Sequence, residues 1–278
     1  MNRLLVACVL TSTIGLGLQL AAGRAATEPA TATGALVLVG GGGTPTEVVA
    51  RALQLAGGAA AKVVVLPQAS AREEAGVGSV EMFREAGARD ARLLLFEDRD
   101  AARRVLEGAD LIWFPGGSQS RLMSALEEAE LTELVVARQR AGAVVGGTSA
   151  GAAVQTARMI TGSPEDEGLR RDNTPSGAGL DLWPATIADQ HFHQRRRFGR
   201  LLSLVLDEPE RIGVGIDEGT AAIWHGKELE VLGRANVTVI DARSAEVGET
   251  EPGEVHAATG VQLHVLRAGM RWTLPESK

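Results

Sequence analysis

Cysteine is almost absent from the 278-residue chain, which contains only Cys8. Cys8 lies within residues 1–26, where a basic start at Arg3 leads into an apolar stretch and then into small residues, the pattern of a secretory signal peptide. Cleavage near Ala25 or Ala26 would remove the cysteine, so we expect a mature protein with no disulfide and no thiol nucleophile. An uncleaved membrane anchor is the alternative for this segment.

Positive charge is also scarce. Lys and Arg number 28 against 35 Asp and Glu, which gives a net charge of −7 at neutral pH, and loss of the leader would remove two of the arginines. This balance does not favour a nucleic-acid partner or an anionic membrane, and it accommodates a cationic substrate more easily. We therefore expect an exported protein, periplasmic or secreted, with no membrane contact after cleavage.

After a small polar linker at 27–33, residues 34–278 are expected to form a single domain. Continuous apolar runs of the kind found in doubly buried strands alternate with helical patterns, which predicts an α/β fold: a mostly parallel, doubly wound sheet with helices on both faces. Residues 213–275 instead show short runs and glycine turns, and predict extra C-terminal β strands, partly antiparallel. The predicted strands are 35–39, 62–66, 91–96 and 111–114, and the predicted helices include 71–86, 99–107 and 120–140.

Four glycines, 40–43, follow the first strand and invite a dinucleotide-binding interpretation. The G-x-G-x-x-G spacing fails at Pro45, and the next strand ends without an acidic residue for a ribose, so no nucleotide cofactor is expected. Thr44 is predicted to cap the following helix, with Pro45 at its first position and Glu47 completing a capping box.

The central motif is G-x-S-x-G at residues 147–151, between a small apolar run and an alanine-rich segment. It matches a nucleophile elbow, a sharp strand-to-helix turn that holds its serine in strained backbone and therefore needs small neighbours. Ser149 would be the nucleophile, and the backbone N–H of Ala150 an oxyanion donor. The alternative is a glycine-rich turn without catalytic function.

A second turn, at residues 115–119, follows the predicted strand 111–114. Sites in such sheets form at the carboxyl ends of the strands, so this turn would lie beside the elbow if the two strands pair. Gly117 would then offer a second oxyanion donor and Gln119 would face the substrate. A plain helix-entry turn is the alternative.

His191 lies at the end of a predicted strand and is the candidate general base. Three other interpretations stay open for its segment: a structural histidine, a solvated arginine face, and a metal site built from Asp189, His191 and His193. The metal site lacks further ligands, so no metal is expected. A carboxylate must orient the imidazole; the candidates are Glu165, Asp166, Glu167, Asp217 and Glu218.

Taken in order, four segments resemble the cyanophycinase family of serine peptidases, which includes the aspartyl dipeptidases. They are P-G-G-S-Q at 115–119, G-T-S-A-G-A at 147–152, D-Q-H-F-x-x-R-x-R-x-x-R-L at 189–201 and G-x-G-I-D-E-G-T-A at 213–221. The resemblance implies a flavodoxin-like sheet similar to that of class I glutamine amidotransferases, a homodimer and no cofactor. It also implies hydrolysis of the poly-aspartate backbone of cyanophycin, whose side chains bear arginine, to β-aspartyl-arginine dipeptides.

Carried over residue by residue, the resemblance makes Ser149 the nucleophile, His191 the general base and Glu167 the orienting acid, with Glu165 and Asp166 still open. It also implies a substrate pocket that offers guanidinium groups to carboxylates, and carboxylate or amide oxygens to guanidinium groups. The implied pocket residues are Gln119, Asp189, Gln190, Arg195, Arg197 and Arg200.

Two alternative functions remain: a peptidase for short aspartyl or isoaspartyl peptides, and an amidotransferase-like protein that binds a ligand without hydrolysing it. An esterase of the α/β-hydrolase type would share G-x-S-x-G but would not need the segment at 189–201. Export also departs from the resemblance, because cyanophycin is stored inside the cells that make it.

Overall fold

The computed structural model describes residues 33–72, 74–164 and 168–274. The expected leader, and the expected linker except its last residue, lie outside these ranges. The described residues belong to one compact unit. No helix within them is both long and apolar enough to cross a membrane.

The elements are named in chain order. The helices are α1 (Thr46–Leu55), α2 (Val77–Glu85), α3 (Arg99–Glu107), α4 (Gln119–Glu128), α5 (Thr132–Arg140), α6 (Ala150–Ala153) and α7 (Phe198–Asp207), with a 3₁₀ turn at Gly58–Ala60. The strands are β1 (Leu36–Val39), β2 (Lys62–Val65), β3 (Asp90–Leu93), β4 (Leu111–Phe114), β5 (Val144–Thr148), β6 (Arg158–Ile160), β7 (Ser176–Ala178), β8 (Thr186–Gln190), β9 (Ile212–Ile216), β10 (Thr220–His225), β11 (Glu228–Gly233), β12 (Asn236–Asp241), β13 (Glu246–Val247), β14 (Ala258–Thr259), β15 (Gln262–Arg267) and β16 (Arg271–Thr273).

The main sheet has the strand order β16-β11-β10-β1-β5-β4-β2-β3. The five strands from β1 to β3 in this order are parallel, whereas β10, β11 and β16 add antiparallel strands at one side. The α/β fold with a mostly parallel sheet and extra C-terminal strands is therefore confirmed.

Helices cover both faces of this sheet because the side chains of each strand alternate in direction. Leu36 and Leu38 of β1 face the core shared with α3, α4 and α5, whereas Val37 and Val39 face the core shared with α1 and α2. Both faces of β1 are fully buried. This explains why the strand is a continuous apolar run rather than an alternating one.

The C-terminal strands divide between two sheets, a division that the sequence pattern does not show. β10, β11 and β16 join the main sheet, whereas β9, β12 and β15 join β8 in a second sheet ordered β15-β12-β9-β8. β8 and β9 run parallel, with Gln190 opposite Ile216. Their carboxyl ends therefore lie side by side.

Two helix starts differ from the prediction. α1 begins at Thr46 with Pro45 as its cap and no side-chain capping bond, because the Pro45 carbonyl accepts from the N–H groups of Val48 and Val49 at 3.0 and 3.2 Å. The predicted cap at Thr44 is wrong. α2 begins only at Val77, since Gly76 before it has φ of +85°, a left-handed conformation that interrupts a helix.

Candidate active site

Ser149 occupies a strained turn directly after β5. Its φ and ψ are 54° and −112°, in a region that non-glycine residues rarely adopt, and its N–H donates to the Val39 carbonyl at 2.9 Å. A Cβ on Gly147 would lie 2.6 Å from the Gly151 carbonyl carbon, and one on Gly151 would overlap the Phe114 carbonyl oxygen. The two glycines of G-x-S-x-G therefore allow α6 to approach the ends of β4 and β5.

The turn after β4 lies against Ser149. β4 and β5 pair directly, with Phe114 opposite Gly147, and a Cβ on Gly116 would lie 3.5 Å from the Ser149 Cβ. Gly117, the next residue, has φ of +150° and packs on the Ala69 carbonyl. The two segments expected to supply oxyanion donors are thus neighbours, and the donor roles of Gly117 and Ala150 stay predictions.

His191 lies directly after β8, and its Nε2 is 3.0 Å from the Ser149 Oγ. Its N–H donates to the Gly40 carbonyl at 2.6 Å, and its ring lies on Gly41, where any Cβ would overlap the ring. The glycines after β1 therefore make room for the His191 imidazole, a role that the sequence alone does not reveal. The available signal is the run of four glycines, 40–43, directly after β1, three of which have left-handed conformations in the structure.

Among the residues that the structure describes, the carboxylate that reaches His191 is Glu218, whose Oε1 is 2.6 Å from the imidazole Nδ1. Glu218 follows β9, so the parallel pairing of β8 with β9 brings the histidine and the acid together. The pair Asp217–Glu218 was one of the open alternatives. Glu167, which the resemblance favours, lies outside the described residues with Glu165 and Asp166.

Backbone and side-chain contacts hold Glu218 in place. Its N–H donates to the Gln194 Oε1 at 3.0 Å. The preceding residue, Asp217, is 3% exposed and accepts from the N–H and Nδ1 of His193 at 3.0 and 2.9 Å. The histidine segment and the acid segment are therefore joined by further contacts beside the one between His191 and Glu218.

The electrostatics keep His191 in the form that a general base requires. Burial is the largest influence and lowers its pKa below 6.5, and the charges of Arg195 and Arg197 lower it further, against the raising effect of Glu218. The lowered pKa favours the neutral imidazole. A neutral imidazole that donates from Nδ1 to Glu218 presents its Nε2 lone pair to the hydroxyl of Ser149.

Asp189 and Arg200, both implied by the resemblance to contact substrate, instead pair with each other. Arg200 donates to both carboxylate oxygens of Asp189, at 2.7 Å from Nε and 2.5 Å from Nη2, and also to the Gly162 carbonyl at 2.9 Å. Asp189 is 1% and Arg200 8% exposed. Because buried charges require partners, this ion pair anchors α7 to β8.

Three more of the implied pocket residues already have partners within the protein. Arg197 donates from Nη1 to the carbonyl and the Oε1 of Gln190, both at 2.7 Å. Gln119 donates from Nε2 to the Ile160 carbonyl at 2.6 Å. Burial, followed by repulsion from Arg200, lowers the pKa of Arg197 to about 10. These residues shape the site, and their contact with substrate stays a prediction.

A cavity of about 730 Å³, here called the arginine cavity, opens beside this segment. Its described lining contains four arginines and no acidic residue. Arg195, one of its lining residues, is exposed, and its backbone N–H donates to the His191 carbonyl at 3.0 Å, so one wall of the cavity is bonded to the residue that contacts Ser149. Its lining includes Arg195, Arg196, Arg197 and Arg200, together with Thr174 and Ser203.

Comparison with known proteins matches residues 36–232 to peptidase family S51. The chain is 37% identical to the cyanophycinase of Trichormus variabilis over 229 residues, which cover 77% of this chain and 76% of that protein. It is 38% identical to the cyanophycinase of Geminocystis herdmanii over 214 residues, covering 74% and 78% of the two chains.

Solved structures show the same fold. A peptidase from an acI-B1 Actinobacterium aligns with a TM-score of 0.61 at 21% identity, covering 88% of this chain and 98% of that one. A putative peptidase E from Listeria monocytogenes aligns with a TM-score of 0.51 at 20% identity, covering 73% and 99%.

Proposed function

Because the chain belongs to peptidase family S51 and is a serine-type peptidase, we propose that it hydrolyses the poly-aspartate backbone of cyanophycin and releases β-aspartyl-arginine dipeptides. The observation that carries the proposal is the line of contacts from the Ser149 Oγ through His191 to Glu218, at 3.0 and 2.6 Å. The cyanophycinases at 37% and 38% identity support the choice of substrate.

In the proposed mechanism, the Ser149 Oγ attacks the scissile carbonyl carbon while its proton passes to the His191 Nε2. Glu218 accepts the hydrogen bond from Nδ1 and stabilises the imidazolium that forms. The N–H groups of Ala150 and Gly117 stabilise the oxyanion. His191 then protonates the departing amine, and water, activated by the same imidazole, hydrolyses the acyl-enzyme.

We propose Glu218 rather than Glu167 as the orienting acid. Neutral imidazole has one N–H to donate, and Glu218 lies at hydrogen-bond distance from the nitrogen that carries it. The arginine cavity, next to the same histidine, supplies guanidinium groups for the free carboxylates of the substrate.

We further propose that the protein acts outside the cell as a homodimer, on polymer released by other cells. The signal-peptide pattern of residues 1–26 supports export. N-terminal sequencing of protein recovered from periplasm or medium tests this: the mature chain should begin near Ala26, and an intact N-terminus would contradict cleavage. Sedimentation of the same material should give twice the monomer mass, and monomers at all concentrations would contradict the dimer.

The substrate is tested by incubating the mature protein separately with purified cyanophycin and with aspartyl and isoaspartyl dipeptides. We expect β-aspartyl-arginine to accumulate from cyanophycin, as identified by mass. Cleavage of the dipeptides alone would favour the short-peptide peptidase, and binding without cleavage of any substrate would favour the non-catalytic alternative.

A further inference from the structure

Arg196 has a backbone conformation that disfavours its own side chain. Its φ is +52°, in the left-handed region where glycine is free of steric cost and arginine is not. The turn that contains it is closed by backbone hydrogen bonds from Arg196 to His193 at 3.1 Å and from Arg197 to Phe192 at 2.9 Å. Strained residues of this kind concentrate at functional sites.

Arg196 lies in the wall of the arginine cavity. Two of the four guanidinium groups there are engaged, Arg200 with Asp189 and Arg197 with Gln190. Arg195 and Arg196 are exposed and have no side-chain partner among the described residues. The cavity wall therefore contains two consecutive arginines whose guanidinium groups are available to a ligand.

The charge of the cavity favours an anion. Burial is the main cause of the lowered pKa of Arg197, and repulsion from Arg200 and then from Arg195 adds to it, against the opposing charge of Asp189. A bound anion would relieve this repulsion. Each guanidinium presents a planar fork that matches a carboxylate, so two adjacent forks suit two carboxylates.

We propose that Arg196 is a specificity-determining residue, which together with Arg195 binds a pair of neighbouring carboxylates on the substrate. This inference rests on the proposed function, because it places the carboxylates beside the bond that Ser149 attacks. The segment resemblance includes Arg195, Arg197 and Arg200 and leaves position 196 unassigned. Arg196 thus adds a second available guanidinium and selects peptides with at least two closely spaced acidic groups.

The test measures binding rather than turnover. Full-length Ser149→Ala protein, which cannot cleave the peptide, is titrated calorimetrically with tetra-aspartate and with tetra-asparagine of equal length. In this background, Arg196→Gly should weaken tetra-aspartate binding about tenfold, equivalent to about 1.4 kcal/mol, and leave tetra-asparagine binding unchanged. Arg196→Lys keeps the charge without the fork and should lose less.

Two controls separate this effect from unfolding and from general charge. Because glycine suits the observed φ, Arg196→Gly should melt no lower than its parent. Arg89, an exposed arginine directly before the edge strand β3 of the main sheet and outside the cavity lining, is replaced by Ala and should leave both affinities unchanged.

Equal affinity of parent and Arg196→Gly for tetra-aspartate would overturn the inference, as would equal losses for both peptides or the same loss in Arg89→Ala. If the unmodified protein does not hydrolyse cyanophycin but tetra-aspartate binding still depends on Arg196, the proposed function is contradicted and this inference stands.

Discussion

Glycines decide whether the side chains of the site can meet. A Cβ at Gly41 would overlap the His191 ring, whereas one at Gly43 would meet nothing within 4 Å, although both residues have similar positive φ, +96° and +92°. A substitution at Gly43 therefore introduces backbone strain alone, whereas one at Gly41 introduces the same strain and also removes the room for the imidazole.

We expect Gly41→Ala to displace His191 and lower kcat/KM about 100-fold, the effect of a misplacement near 1 Å. Gly43→Ala carries the same backbone strain and should lose stability without a comparable loss of activity. Steady-state kinetics and thermal melting of both variants test this. Equal activity in the two variants would show that the glycine beside the ring has no special role.

The charges around His191 predict the pH dependence of the enzyme. Activity requires the neutral imidazole, so kcat/KM should rise with pH and reach half its plateau below pH 6.5, since burial lowers the His191 pKa. Arg195 also lowers this pKa, so Arg195→Gln should move the acid limb to higher pH. Arg89→Gln is the matched control and should not move it. A limb that stays in place or moves to lower pH in Arg195→Gln would contradict this electrostatic account.

At the residue level, local patterns identified Ser149 and His191 as candidates, because the elbow and the histidine segment are short motifs. The resemblance favours Glu167 as the orienting acid, and local patterns leave Glu218 only as an alternative, because the contact of Glu218 with His191 depends on the pairing of β8 with β9. Local patterns do not predict the pairing of Asp189 with Arg200, for a similar reason. A buried charge needs a partner within the protein, and packing decides which charges are buried.

Among the elements, α7 depends on a buried ion pair for its attachment to β8. Arg200→Met should leave the Asp189 carboxylate buried and poorly paired, at a cost of about 3–5 kcal/mol in the free energy of unfolding, whereas the double variant Asp189→Leu/Arg200→Met should recover much of it. Urea denaturation measures both.

The exposed pair Arg92–Asp90, with side chains 54% and 34% exposed, is the control, and its disruption by Asp90→Asn should cost less than about 1 kcal/mol. An Arg200→Met loss no larger than this would contradict an anchoring role for the buried pair.

The elements themselves were mostly predictable where they are buried. The runs at β1, β2 and β4 were recognised because both faces of each strand are apolar, and α3 was predicted with its observed bounds. The division of the C-terminal strands between two sheets is not predictable in this way. Alternation of apolar and polar residues shows that a strand has two different faces, but it does not show which neighbouring strand it pairs with.

For the molecule as a whole, net charge gave an incomplete guide to the ligand. The chain carries −7 overall, yet the cavity beside the site is lined by four arginines and no described acid. The local field follows from which side chains the fold gathers, and it can concentrate carboxylates at one place on an acidic protein. The family match ends at residue 232, so β12 and β15, which form the outer half of the second sheet, lie beyond it.

We propose that Ser149, His191 and Glu218 act together to hydrolyse cyanophycin. The most direct measurement is the rate of β-aspartyl-arginine release from purified cyanophycin, followed by mass spectrometry, for the unmodified protein and for Ser149→Ala, Glu218→Gln and Glu167→Gln. We expect release by the unmodified protein, none by Ser149→Ala, a loss of about 10⁴-fold in Glu218→Gln, and little change in Glu167→Gln. No dipeptide from the unmodified protein, or a larger loss in Glu167→Gln than in Glu218→Gln, would contradict the account.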